Sequence, residues 1–161
     1  MDYLKYNCNH ESYNGDGVPD GNDIGLSAAY TDMYRFGIAL LALASSRAPD
    51  WIAAPVGISN VDGRTYREIV QDMVDFGVWS QNDFDTSYNG VGRGGWRYES
   101  NYYWYSDNSC TQWPVLGIFA AGSHPFNVLV PQWAKNETRD YWIPYSQGGD
   151  GGFGYTNAGN W

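Results

Sequence analysis

The chain is short of long apolar runs, of positive charge and of cysteine. Its longest apolar stretch, Phe36 to Ala44, falls far below the roughly 18 residues of a membrane span, so no membrane-spanning helix is expected. Lys and Arg number 9 against 18 Asp and Glu, a net charge of −9. That balance repels phosphate and anionic lipid and argues against nucleic-acid binding. The two cysteines, Cys8 and Cys110, allow one disulfide or two free thiols, which leaves the redox compartment open. Met1 to Lys5 offers neither the basic start nor the apolar core of a secretory signal. Gly159-Asn160-Trp161 reads as loop, which suggests a piece of a longer, exported protein. The sequence contains no G-x-S-x-G, no H-E-x-x-H, no P-loop and no C-x-x-C. Asn136-Glu137-Thr138 is a glycosylation sequon, but it falls in a predicted helix.

Aromatic residues and glycine are abundant instead. Aromatics make up 17% of the 161 residues, with 8 Trp, 14 Tyr and 6 Phe beside 20 Gly. Disordered chains lack that load, and the length suits one domain or part of one.

Four helices are predicted. The first runs Met33 to Ala44 after Thr31 or Asp32 as cap, and is apolar nearly all round. The second, about Thr65 to Gln81, sets Tyr66, Ile69, Val70, Met73 and Phe76 against Arg67, Glu68, Asp72 and Asp75, predicting one wet face. The third covers Trp113 to Ala121, again apolar all round, with Thr111 as cap because Pro114 belongs in a first turn. The fourth starts near Pro131 and runs towards Ile143, where Pro144 ends or kinks it. Buried and amphipathic helices alternate, which predicts an inner and an outer layer.

An internal repeat matches this alternation. Trp79-Ser80-Gln81 pairs with Tyr145-Ser146-Gln147, and Gly94-Gly95-Trp96 with Gly151-Gly152-Phe153. The first copy carries an insertion within Asn82 to Arg93. Glycine permits the tight turn, the aromatic ring packs over it, and Gln bonds backbone groups freed at helix ends.

The second copy, Gln147-Gly148-Gly149-Asp150-Gly151-Gly152-Phe153, resembles the Q-x-x-x-G-x-W repeat of squalene and oxidosqualene cyclases, with Phe for Trp. The first copy keeps Gln81 and Gly94-Gly95-Trp96. Leu116-Gly117-Ile118-Phe119-Ala120-Ala121 resembles the helix after that turn in the prenyltransferase and squalene-cyclase superfamily, and Tyr30-Thr31-Asp32-Met33-Tyr34 resembles an earlier copy. The resemblance covers about Tyr30 to Tyr155. It implies an all-α fold of antiparallel helical hairpins of α/α-toroid type, joined by long Gly- and aromatic-rich loops. About two hairpins are present, near 30–98 and 107–155, which makes an arc rather than a closed ring. It also implies a cavity lined by aromatics that stabilise carbocations, with Trp96, Tyr98, Trp104, Trp113 and Phe153 as candidates.

The catalytic sets of that superfamily are incomplete here. The nearest match to the cyclase D-x-D-D acid is Asp83-Phe84-Asp85-Thr86, which lacks the adjacent second Asp. Against the zinc set of protein prenyltransferases, Asp107 matches, Ser109 falls on the Cys position, and Cys110 comes one residue late. His10 and His124 carry no ligand signature, so zinc is not expected. Cys110 reads as a small buried hydrophobe.

Residues 1–29 form an acidic N-terminal loop region. Ser12, Asn14, Asp16, the Val18 carbonyl, Asp20 and Asp23 occupy the six ligand positions of a 12-residue calcium loop, with Gly17 at its sixth. The spacing resembles dockerin and thrombospondin type 3 loops, which are extracellular; an ordinary acidic turn fits it as well. Two functions follow as expectations. One is a non-catalytic repeat module serving as scaffold, assembly unit or binding surface of an exported or surface protein, as a homo-oligomer or with the remainder of a larger chain. The other is a fragment or subunit of an isoprenoid-handling enzyme. A third, carbohydrate binding through exposed Trp and Tyr, rests on composition alone.

Overall fold

The computed structural model describes residues 5–7, 24–26, 32–55, 61–82, 91–102 and 104–159. The fold is mostly helical, as expected for the all-α class. Two short strands, β1 (Lys5–Asn7) and β2 (Ile24–Leu26), pair antiparallel with Tyr6 opposite Gly25. Three longer helices follow: α1 (Met33–Ser45), α2 (Tyr66–Trp79) and α3 (Asn108–Ala121). The last helical segment is α4 (Gln132–Glu137), a π turn (Thr138–Trp142) and α5 (Ile143–Ser146).

Helix α1 starts where Asp32 accepts the Tyr34 and Arg35 N–H groups at 3.1 and 3.2 Å. It is buried on one face only, through Met33, Phe36, Gly37, Leu40 and Ala44, rather than all round. Ile38 remains 39% exposed and Ala42 lies in solvent, because α3 covers a single side. At the α1–α3 crossing the backbones nearly touch: a Cβ on Gly37 would lie 2.3 Å from the Pro114 nitrogen.

Helix α2 opens with a capping box, in which Thr65 and Glu68 satisfy each other's backbone N–H. Its wet face is narrower than predicted, since Asp72 and Asp75 are buried. Each has a partner that makes burial tolerable: Arg64 holds Asp72 at 2.6 Å, and the Gln71 amide donates to Asp75 at 3.0 Å.

Helix α3 begins four residues earlier than a Thr111 cap would place it. Asp107 is the cap, accepting the Cys110 N–H at 2.8 Å, and Pro114 sits inside the helix. Thr111 is engaged elsewhere: its hydroxyl accepts the Trp96 N–H at 2.9 Å and donates to the Trp96 carbonyl. Burial all round also fails for α3, with Leu116 47% and Phe119 75% exposed. Proline cannot donate to the carbonyl four residues back, and the chain meets Pro144 with a π turn. There the Ile143 N–H reaches back to the Thr138 carbonyl, so helical structure passes Ile143 and ends at Ser146.

The core lies where α1, α2 and α3 meet, around Phe36, Leu40, Val70, Val74 and Phe76. Phe36 and Phe76 pack edge to face at 5.3 Å. Among the described residues no helix is long and apolar enough to cross a membrane.

Candidate functional site

Two loops carry the same set of hydrogen bonds. At the end of α2, the Gln81 amide donates to the Gly94 carbonyl at 3.0 Å, and the Asn82 N–H to the Gly95 carbonyl at 3.0 Å. At the end of α5, the Gln147 amide donates to Gly151 at 3.1 Å, and the Gly148 N–H to Gly152 at 2.7 Å. Gly94 has φ +82° and Gly151 φ +87°, a conformation glycine reaches at little cost. In both, a buried serine just before the Gln donates back into its own helix: Ser80 to Gly77, and Ser146 to Trp142.

The surroundings of the two turns differ. The first is roofed by the 132–146 segment. Gln81 also donates to the Ala134 carbonyl and to the Thr138 hydroxyl, which donates on to Gly94 at 2.8 Å. Arg93 grips Glu137 with two bonds of 2.6 and 2.7 Å and lies over the Tyr141 ring. Trp96 is 2% exposed, and its indole donates to the Gly77 carbonyl at 2.9 Å. On the second turn Phe153 is 49% exposed and Gln147 faces solvent. A Cβ on Gly94 would meet the Glu137 carbonyl at 2.1 Å; one on Gly151 would meet nothing within 4 Å.

The first turn leads into a buried ion pair. Arg97 pairs with Asp107, which is fully buried and also accepts from the Ser109 hydroxyl at 2.6 Å. Burial opposes the Arg97 charge, but Asp107 and the Tyr155 and Tyr105 hydroxyls outweigh it and hold the guanidinium above its usual pKa. Next to this pair, burial, reinforced by Asp107, pushes the Cys110 thiol up to about 12. Cys110 is the buried residue expected, and it forms no disulfide among the described residues.

A groove of about 300 Å³ opens between α3 and the 132–146 segment. Val115, Ile118 and Phe119 form one wall, Ala134, Thr138 and Ile143 the other, with Trp96 alongside and Lys135 and Arg139 among the polar lining. Of the five aromatic residues predicted to line a cavity, only Trp96 reaches it. Tyr98 and Trp113 converge instead on Tyr34, with ring centroids at 6.2 and 5.6 Å, beside the α1–α3 crossing. Trp104 is 56% exposed, and Phe153 lies on the open turn. The groove's other aromatic, Phe119, belongs to the stretch that resembles the helix after the turn, but was not among the residues expected to line a cavity. Thr138 and Glu137 stood out only as part of the glycosylation sequon, and their bonds to Gln81 and Arg93 become visible only once the turn is seen against the next helix.

Ser12, Asn14, Asp16, Val18, Asp20 and Asp23 lie outside the described residues, as do Cys8, His10, Asp83 and Asp85. Among the described residues no group of three or more His, Cys, Asp or Glu is placed to hold a metal ion. Comparison with protein families, with characterised proteins and with solved structures returns no match.

Proposed function

We propose that this chain is a helical-repeat module, of the kind its Gln/Gly-Gly-aromatic turns resemble, acting as a scaffold or binding unit and not as a catalyst. The observation that carries this reading is the pair of turns with matching bonds, the first roofed by helix and the second open. Repeat arrays bury each unit's apolar face against its neighbour, so an open unit is a surface made to be covered. The buried polar groups around the first turn serve packing: Asp107 caps α3 and pairs with Arg97, and Thr138 and Gln81 tie the turn to its roof. The spacing from Ser12 to Asp23 supports a calcium loop on an exported or surface protein. Calcium at millimolar level should then raise the melting temperature, with the rise abolished by Asp16→Ala.

The module reading is tested by lengthening the array. A chain of residues 1–155 followed by a second copy of residues 99–159 should melt cooperatively and higher than the original, with helical signal from the added unit. An added unit that stays unfolded and leaves the melting temperature unchanged contradicts the reading.

The apolar groove, with Trp96 and Phe119 on its lining, supports a second reading, an isoprenoid-binding piece of a terpenoid cyclase or prenyltransferase-type enzyme. Calorimetric titration with farnesol separates the two. Saturable binding lost in Phe119→Asp favours the enzyme piece, and absence of heat favours the module.

A further inference from the structure

The groove has a filled counterpart within the same molecule. In the first unit α1 and α2 form a trough, and α3 lies in it. A Cβ on Gly117 would sit 3.0 Å from the Leu40 Cγ and 3.0 Å from the Gly37 carbonyl, and the Ile118 side chain comes within 3.4 Å of the Cβ position of Gly77. Small or compact residues, Pro114, Gly117 and Ala121, are buried along α3 and let the helices approach.

By sequence match the second unit follows the first one step along, with α3 and the 132–146 segment standing apart where α1 and α2 pack together. Helix α3 takes the place of α1; both start at an aspartate cap, Asp32 and Asp107. The 132–146 segment takes the place of α2, since Tyr145-Ser146-Gln147 matches Trp79-Ser80-Gln81. Ile143 then stands where Gly77 stands, three residues before the buried serine. The trough between α3 and this segment is the open groove. Its walls leave Phe119 75% and Ile143 37% exposed, whereas Leu40 and Gly77 on the first trough are buried.

We infer that this groove is a docking seat for a helix supplied by another polypeptide: an apolar helix with small residues along its contact face, lying as α3 lies between α1 and α2. The inference rests on the repeat-module reading and adds to it the partner's chemistry. The recognition mode is helix in groove, with Phe119 as the aromatic anchor. Lys135 lines the groove, so the seat favours a helix carrying a carboxylate. Arg139, its neighbour along the wall, is already paired with Asp140 at 2.6 Å.

Helix α3 is itself such a helix, so its own sequence is the probe. A dye-labelled peptide of residues 107–122, with Ser in place of Cys110, is titrated against the intact chain and followed by fluorescence anisotropy. Saturable binding is expected, weakened about tenfold or more by Phe119→Asp and by Ile143→Arg on the opposite wall. Both side chains are solvent-exposed, so the variants should keep the wild-type melting curve. Absence of saturable binding overturns the proposal, as does binding that neither variant weakens. Sedimentation of the wild-type chain as a dimer that Phe119→Asp dissolves assigns the groove to a second copy and also overturns it. The lengthened chain reports separately on the module reading: a stabilising added unit together with a peptide that does not bind would remove the docking helix and leave the repeat.

Discussion

Gly94 and Gly151 adopt one backbone conformation in two environments, and substitution reads the difference. Alanine at Gly151 meets only the left-handed backbone penalty, about 1 kcal/mol, because no atom lies within 4 Å of its Cβ. Alanine at Gly94 meets that penalty and a collision with the Glu137 carbonyl, so its cost should reach about 3 kcal/mol. Urea unfolding of the two variants checks this, and equal losses would deny that the first turn is roofed. Cys110 supplies a second test at this scale. With its pKa pushed up to about 12 it stays protonated at neutral pH, and burial bars access. In a Cys8→Ser background, a thiol reagent at pH 8 should label Cys110 only after denaturant is added. Rapid labelling of the folded chain would place the thiol at the surface.

Helix ends show how far local sequence signals reach. Asp32 was legible as one of two candidate caps, with Thr31, because both stand just before an apolar run, whereas Thr65 was read as the first residue of the second helix and not as its cap. Asp107 was hidden by Pro114, which argues for a later start. The Pro114 backbone faces Gly37, a contact between distant residues that no local pattern records. Burial around each helix was hidden for the same reason. An apolar sequence predicts enclosure, but α1 and α3 cover only one face of each other, and Asp72 enters the interior because Arg64 accompanies it. The capping box yields a pH dependence. The Thr65 hydroxyl, then its backbone N–H, hold the Glu68 carboxyl below its usual pKa. A depressed folded pKa means stabilisation that is complete above the unfolded value, about 4.3, and lost as pH falls through the folded value. The gap in melting temperature between wild type and Glu68→Ala should therefore close between neutral pH and about pH 3. A gap that persists in acid would contradict the capping box.

At the scale of the molecule, the repeat was the most informative feature of the sequence. Residues chosen by their match, Gln81 with Gly94 and Gln147 with Gly151, make the same bond in both copies. The match could not distinguish the copies, since what separates them is the neighbour: Glu137 and Thr138 close over Gly94 in one turn, and open space surrounds Gly151 in the other. The groove beside α3 follows from the same difference, and so do the exposed Phe119 and Phe153. Hydrogen exchange at two amides tests this most directly. Asn82 and Gly148 donate matching bonds across the two turns, at 3.0 and 2.7 Å. If the first turn is buried under its neighbour and the second is open, Asn82 should exchange only through global unfolding and Gly148 about a hundredfold faster or more. Equal protection of the two amides would contradict the account.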